Sequence, residues 1–313
     1  MTDLAVEVQG LQKSFGSVQA CHDLSFTVET GEIVGLVGPD GAGKTTTFRI
    51  LCGILAADAG QAMVVGTDVA ADPEAVKRQI GYLPQRFSLH RDLTVWENIR
   101  YMAELYGVTA GQWEARAEEL LEITYMQPFR QRLAGRLSGG MKQKLALLCS
   151  LIHRPRLLIL DEPTTGVDPV SRRDFWQILY HLPQQGVTIL ISTPYMDEAA
   201  RCNRVAFMYQ GRLLALETPA ELRKLAPGQY LEVRCQHQRA AREKLQGLPE
   251  VSGVEVFGDR LHVSLAPGGT TETVSGALAA EEFACEHVAP VEASLEDVFM
   301  ELTRRERAAG QAL

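Results

Sequence analysis

The string GPDGAGKT at residues 38–45 restricts the fold more than any other stretch of this chain. It matches G-x-x-x-x-G-K-[ST], the pattern of a loop that cradles phosphates. Before it stands EIVGLVG, a near-continuous apolar run of the kind a buried parallel strand shows. After it stands TTTFRILCGIL, which reads as a helix ending near Gly53. Gly38, Gly41 and Gly43 let the backbone curl and aim its N–H groups at phosphate oxygens, and the helix N-terminus adds its partial positive charge there. Lys44 is placed to reach the β- and γ-phosphates, and the Thr45 hydroxyl to ligate Mg²⁺. Gly38, Pro39, Asp40, Gly41, Ala42, Gly43, Lys44, Thr45 and Thr46 therefore form a candidate nucleotide-binding segment.

A second signal is LLILDEP at 157–163. Four apolar residues make a buried strand that delivers Asp161 and Glu162 at its C-terminal end, where open α/β sheets bind their ligands. Asp161 is a candidate Mg²⁺ ligand, directly or through water. Glu162 is a candidate general base for an attacking water. A third signal, LSGGMKQKLALL at 137–148, opens a helix with Ser138, Gly139 and Gly140, a further anion-receptive N-terminus.

Strand-like runs alternate with turn glycines over the first 60 residues. Residues from about 86 to 153 read as mainly helical, with TVWENIRYMAELYG and WEARAEELLEI separated by Gly111 and ended near Pro128. Alternation then returns: LLIL, a helix capped by Asp168-Pro169, then VTILIS and VAFMY. Such a pattern predicts a parallel sheet covered by helices. The texture changes at Pro227-Gly228, where a small α+β unit is expected, closed by the helix SLEDVFMELTRRER. The expected domains are thus 1–226 and 227–313.

Charge and hydropathy exclude some functions. Lys and Arg number 31 against 39 Asp and Glu, a formal net charge of −8, which disfavours nucleic acid as a partner. No apolar run nears the roughly 20 residues of a membrane span, and MTDLAVEVQG lacks the pattern of a secretion signal. Cys21, Cys52, Cys149, Cys202, Cys235 and Cys285 are scattered and read as free thiols of a reducing compartment. C-x-H occurs at Cys235/His237 and Cys285/His287, but residues two apart on a strand merely share a face, so a metal site is not expected there. The expectation is a soluble, cytosolic protein.

The three strings in this order resemble the nucleotide-binding subunits of ABC transporters, over residues 1 to about 225. The resemblance implies an α/β, RecA-like P-loop ABC ATPase core with an antiparallel β subdomain and a helical subdomain spanning about 86–153, followed by the small C-terminal α+β domain. ATP and Mg²⁺ are the implied cofactors. Phe15 resembles the aromatic residue that stacks on adenine, and Gln85 of GYLPQ the residue linking the γ-phosphate site, its metal and the helical subdomain. LSGGM resembles the signature LSGGQ, with Met141 in place of Gln, and GVD at 166–168 resembles the D-loop. In the family two such domains sandwich two nucleotides, each phosphate-binding loop facing the partner's signature helix. SLEDVFMELT at 294–303 resembles the closing motif of ABC-2-type, drug-resistance-like exporter ATPases. That implies a separate ABC-2-type membrane permease as partner, a second nucleotide-binding domain in a homodimer or heterodimer, and a place on the cytoplasmic face of the membrane.

Two residues depart from the family. Where its members read STHYMDEA this chain reads STPYMDEA, so Pro194 stands in place of the switch histidine and offers no donor to a γ-phosphate. His181, 13 residues upstream, is no evident substitute. Asp40 stands where Asn is commoner. Both features resemble the N-terminal halves of tandem ABC-2 ATPase subunits. Two readings follow: a motor subunit that hydrolyses ATP to drive export, or a degenerate nucleotide-binding partner with little turnover of its own.

Overall fold

The structure, a computed structural model, describes residues 3–226, 228–279, 283 and 285–310. The chain divides into two compact units, Met1–Thr218 and Pro219–Leu313.

In the first unit β1 (Leu4–Phe15), β2 (Val18–Glu29), β3 (Ile33–Val37), α1 (Lys44–Leu51), β4 (Ala59–Val64), β5 (Thr67–Asp68), α2 (Pro73–Gln79) and β6 (Ile80–Leu83) come first. Next are α3 (Val95–Leu105), α4 (Ala110–Ile123), α5 (Gly139–Leu151), β7 (Leu157–Asp161), α6 (Pro169–His181), β8 (Thr188–Thr193), α7 (Met196–Ala199), β9 (Arg204–Tyr209) and β10 (Arg212–Glu217). A six-stranded sheet has the order β10-β9-β3-β8-β7-β6. Its inner pairings are parallel, and only β10 joins antiparallel. Every residue of β3, β7 and β8 is buried, which is why IVGLV, LLILD and TILIST carry no alternation. Each such Leu or Ile contributes on the order of 1.5–3 kcal/mol of burial. The second sheet, β2-β1-β4-β5, is antiparallel. One core, to which Phe48 of α1 contributes, joins the two sheets, with Leu11 and Leu24 from one and Ile159 and Leu190 from the other.

Helices α3, α4 and α5 pack on one another. Thr94 starts α3 with a reciprocal capping box to Glu97. The expected break at Gly111 is displaced: the chain turns at Gly107, whose φ is 69°, and Gly111 lies inside the first turn of α4. Only the left-handed position demanded glycine there.

The second unit runs α8 (Pro219–Lys224), β11 (Tyr230–Cys235), α9 (Gln238–Gln246), β12 (Val251–Phe257), β13 (Arg260–Leu265), α10 (Thr271–Ala279), β14 (Cys285–Val291) and α11 (Leu295–Gly310). Of the expected boundary pair, Pro227 lies outside the described residues. The structural division falls earlier in the chain because α8 packs against α11. Strand order β12-β13-β11-β14, antiparallel throughout, makes this a split β-α-β unit. Leu231, Val233, Leu261 and Val263 of the sheet bury against Ala241 and Leu245 of α9 and Val274 and Leu278 of α10. From β13, His262 reaches Asp297 of α11 at 3.0 Å. Cys235 pairs in register with Cys285, whereas His287 opposes Arg234, so the register brings the two cysteines together without His287. Among the described residues no group of three His, Cys, Asp or Glu side chains gathers in a way that would hold a metal ion. None of their helices is long and apolar enough to cross a membrane.

Candidate nucleotide site

Strands β3, β8, β7 and β6 lie side by side, and the candidate residues sit at or just beyond their C-terminal ends. The loop after β3 closes tightly on its surroundings. A Cβ on Gly38 would stand 2.2 Å from the Met208 carbonyl oxygen. On Gly43, at φ 103°, it would stand 2.2 Å from that of Ala20. Both positions therefore need glycine sterically, independent of any ligand. Pro39, Asp40 and Gly41 are exposed at the loop's tip, and Ala42 is buried beneath it.

Lys44 is 4% exposed, and its ammonium donates to the carbonyls of Gly38 at 2.8 Å and Pro39 at 3.1 Å. It also pairs with Glu162 Oε1 at 3.2 Å. Glu162 is buried and held in the left-handed region at φ 47°, a strained conformation for a residue with a Cβ. What holds it there is Ser192: the Glu162 N–H donates to the Ser192 hydroxyl at 2.9 Å and lies 3.2 Å from its carbonyl oxygen. The second oxygen of Glu162 accepts from Gln85 Nε2 at 2.9 Å. Gln85 thus points its amide nitrogen at the candidate base, from the segment that leads from β6 toward α3.

Asp161 is 1% exposed. One of its oxygens, Oδ1, accepts from Ser192 Oγ at 2.7 Å and from Thr45 Oγ1 at 3.1 Å. The other, Oδ2, is buried without a partner. Burial pushes this carboxyl above the ordinary carboxylate range, opposed by the hydrogen bonds from Ser192 and Thr45 and by the Lys44 charge. A buried, unpaired carboxylate oxygen beside a threonine hydroxyl is a donor set suited to a hard divalent cation. Of the Mg²⁺ residues named from sequence, Thr45 and Asp161 fit the group on that ground, while Gln85 spends its amide nitrogen on Glu162.

Lys44, Thr45, Asp161, Glu162 and Gln85 therefore converge in one hydrogen-bonded cluster. Two other groups of expected residues stand apart from it. Phe15 ends β1 half-exposed, with the Lys13 ammonium 5.7 Å from its ring centre. Ser138 caps α5, its hydroxyl accepting from the Met141 N–H at 3.3 Å, and it is exposed with Gly139. A Cβ on Gly140 would meet Ser171 at 2.5 Å, so this glycine serves the approach of α5 to α6. No hydrogen bond joins Ser138, Gly139 or Gly140 to the phosphate-binding loop among the described residues. Pro194 follows β8 in an exposed position, and His181 ends α6. Ser192, which holds the Asp161 carboxylate and the Glu162 backbone, is not singled out by the sequence although it lies two residues before Pro194 in STPYMDEA.

A six-stranded, mainly parallel sheet with this cluster at its carboxyl edge defines an ATP-binding cassette. The model of the ABC transporter family matches residues 21–165, and that of the ATP-binding protein DrrA1-3-like, C-terminal domain matches residues 218–303. The chain is 37% identical over 309 residues to a Nod factor export ATP-binding protein I of Rhizobium sp. (strain N33), covering 98% of this chain and 99% of that one. It is 40% identical over 306 residues to the probable multidrug ABC transporter ATP-binding protein YbhF of Escherichia coli (strain K12). That match covers 96% of this chain and 52% of the relative, so the chain spans about half that relative's length. Among solved structures, an ATP-binding subunit of an ABC transporter aligns with a TM-score of 0.65 at 31% identity, over 70% of this chain and 92% of that one. The chain belongs to the ABC transporter family of ATP-binding proteins.

Proposed function

We propose that this chain binds and hydrolyses ATP as the motor subunit of an ABC-2-type exporter, working through a separate membrane permease. The observation that carries this reading is the convergence of Lys44, Thr45, Asp161, Glu162 and Gln85 at one sheet edge. In this reading the loop N–H groups and the Lys44 ammonium hold the β- and γ-phosphates and offset the charge that develops on transfer. Glu162 then exchanges its Lys44 contact for the attacking water, whose proton it accepts, while Gln85 fixes the orientation of the carboxylate. Base catalysis of this kind contributes roughly 10²–10⁴ in rate. Mg²⁺, held by Asp161 and Thr45 when bound, would draw charge from the transferred phosphoryl group. Phe15 offers its exposed ring to adenine. The exposed Ser138 cap offers an anion-receptive helix end to the nucleotide of a second domain, in a homodimer or a heterodimer. A permease partner places the chain peripherally on the cytoplasmic face of the membrane. Relatives named for multidrug and Nod factor export support the motor over the degenerate reading raised by Pro194.

Mg²⁺-dependent ATP hydrolysis by the purified chain, with Glu162→Gln as comparison, tests the proposal. Removal of the base is expected to lower turnover by at least about 10² with nucleotide affinity retained. Equal turnover in both chains, or no ATP binding by either, overturns it.

A further inference from the structure

Glu198 is fully buried and lies in α7, outside the cluster that meets the nucleotide. A carboxylate there is expensive unless every oxygen is paired, and the partners it has found come from three segments that border the site. Thr164, two residues beyond Glu162, donates to its Oε1 at 2.7 Å. Thr193, the residue before Pro194, donates to Oε2 at 2.7 Å. Arg172, in α6 four residues beyond the Asp168 cap, donates from Nε to Oε1 at 3.0 Å.

Each of these segments is itself stiffened. The Thr193 hydroxyl also accepts from the Tyr195 N–H at 3.1 Å, so the turn at Pro194 closes on the group that binds Glu198. Arg172 holds both oxygens of Asp197 at 3.1 Å, and its guanidinium lies 4.3 Å from the Tyr195 ring centre. Between Glu162 and Asp168 the chain turns on backbone bonds from Thr165 to Glu162 and from Val167 to Thr164. Displacing the Pro194 turn therefore pulls on Thr164, and through it on the segment bearing Glu162.

We infer that Glu198 is a positioning residue for hydrolysis: it ties the Pro194 turn, the Glu162–Asp168 segment and α6 into one body, so that the candidate base and the 166–168 turn keep register with the end of β8. This rests on the motor reading above but has a readout independent of turnover. Loss of the tie leaves the phosphate-binding loop intact, since neither Lys44 nor Thr45 touches Glu198.

Glu198→Gln and the near-isosteric Thr164→Val separate this role from simple destabilisation, because Thr164→Val removes only the hydroxyl. Each is expected to lower kcat about tenfold with KM for MgATP within about twofold, and the double variant to fall no further than the worse single one. In amide exchange on the full chain, Thr164→Val is expected to speed exchange at both 163–168 and 194–196 while 38–46 is unchanged. That measurement reads the tie even if the unmodified chain does not hydrolyse ATP, an outcome that would count against the motor reading alone. Unchanged kcat in an active chain, losses that multiply to about a hundredfold in the double variant, or faster exchange confined to 163–168 would each overturn the inference.

Discussion

Pro194 is exposed directly after Thr193, the last residue of β8, and its ring supplies neither an N–H nor a side-chain donor. Its neighbours are well held: Tyr195 N–H bonds the Thr193 hydroxyl, and Thr193 bonds Glu198. The backbone there is fixed, so a side chain with a donor at 194 would be presented from a rigid turn. Pro194→His is therefore expected to raise kcat, by up to about 10² if one donor to the developing charge is all that is missing. KM should change little, and steady-state hydrolysis by the two chains decides it; an unaltered kcat would mean that the site supplies that donor elsewhere. The proline itself was legible in the sequence because the surrounding string differs from the family pattern at that one residue. Ser192 and Glu198 lie in the same string and were not legible. The partners that give them meaning, Asp161 and Thr164, stand 31 and 34 residues away. Only the parallel pairing of β7 with β8 brings them together.

Among the elements, hydrophobic runs and caps are legible in the sequence and helix breaks less so. The fully buried β3, β7 and β8 announce themselves by apolar runs without alternation, polar residues falling only at their ends, and Asp168-Pro169 starts α6 with two backbone N–H groups bonded to the Asp168 carboxylate. Gly107 and Gly111 look equivalent in sequence, since both interrupt an otherwise helical pattern. Their conformations differ, and so should their mutants. Gly107→Ala puts a Cβ at φ 69° and is expected to cost about 1–2 kcal/mol. Gly111→Ala falls on a helical position with open space around it and is expected to stabilise by up to about 1 kcal/mol. Denaturant melts of the two variants check both signs. In the second unit the hydrogen bond that His262 donates to the Asp297 carboxylate raises the pKa of His262, with Glu232 and Glu296 adding to it and burial opposing. A raised folded-state pKa contributes stability fully below the unfolded value of about 6.5, and loses it as pH rises through the folded value. Melting of the full chain should therefore weaken from mildly acid toward alkaline pH through this pair. His262→Gln is expected to remove that component; an unchanged pH slope would show that the pair contributes nothing.

At the scale of the whole molecule the residues that resemble a nucleotide site do not all meet in one chain. Lys44, Asp161, Glu162 and Gln85 form a connected cluster, while Ser138 and Gly139 cap α5 in the open, bonded to nothing across the site. The order of motifs along the chain carries the core, yet it cannot say whether the signature helix serves its own phosphates or another domain's, because chain order is silent on what lies across a surface. If the sites are composite and related by a two-fold axis, damage to the loop and damage to the signature fall on different sites of a mixed pair. Lys44→Ala and Ser138→Arg should each abolish hydrolysis alone. In a mixed dimer one site inherits both defects and the other inherits neither. Mixing the two inactive chains should then restore turnover that rises with the concentration of either. Recovery would establish that two copies of this chain build a working site between them. Failure to recover, with both chains folded and the unmodified chain active, would mean that each chain closes its own site. A titration of the unmodified chain checks the same point independently: a self-contained site gives activity strictly proportional to the chain added, whereas a site shared between copies gives a steeper rise.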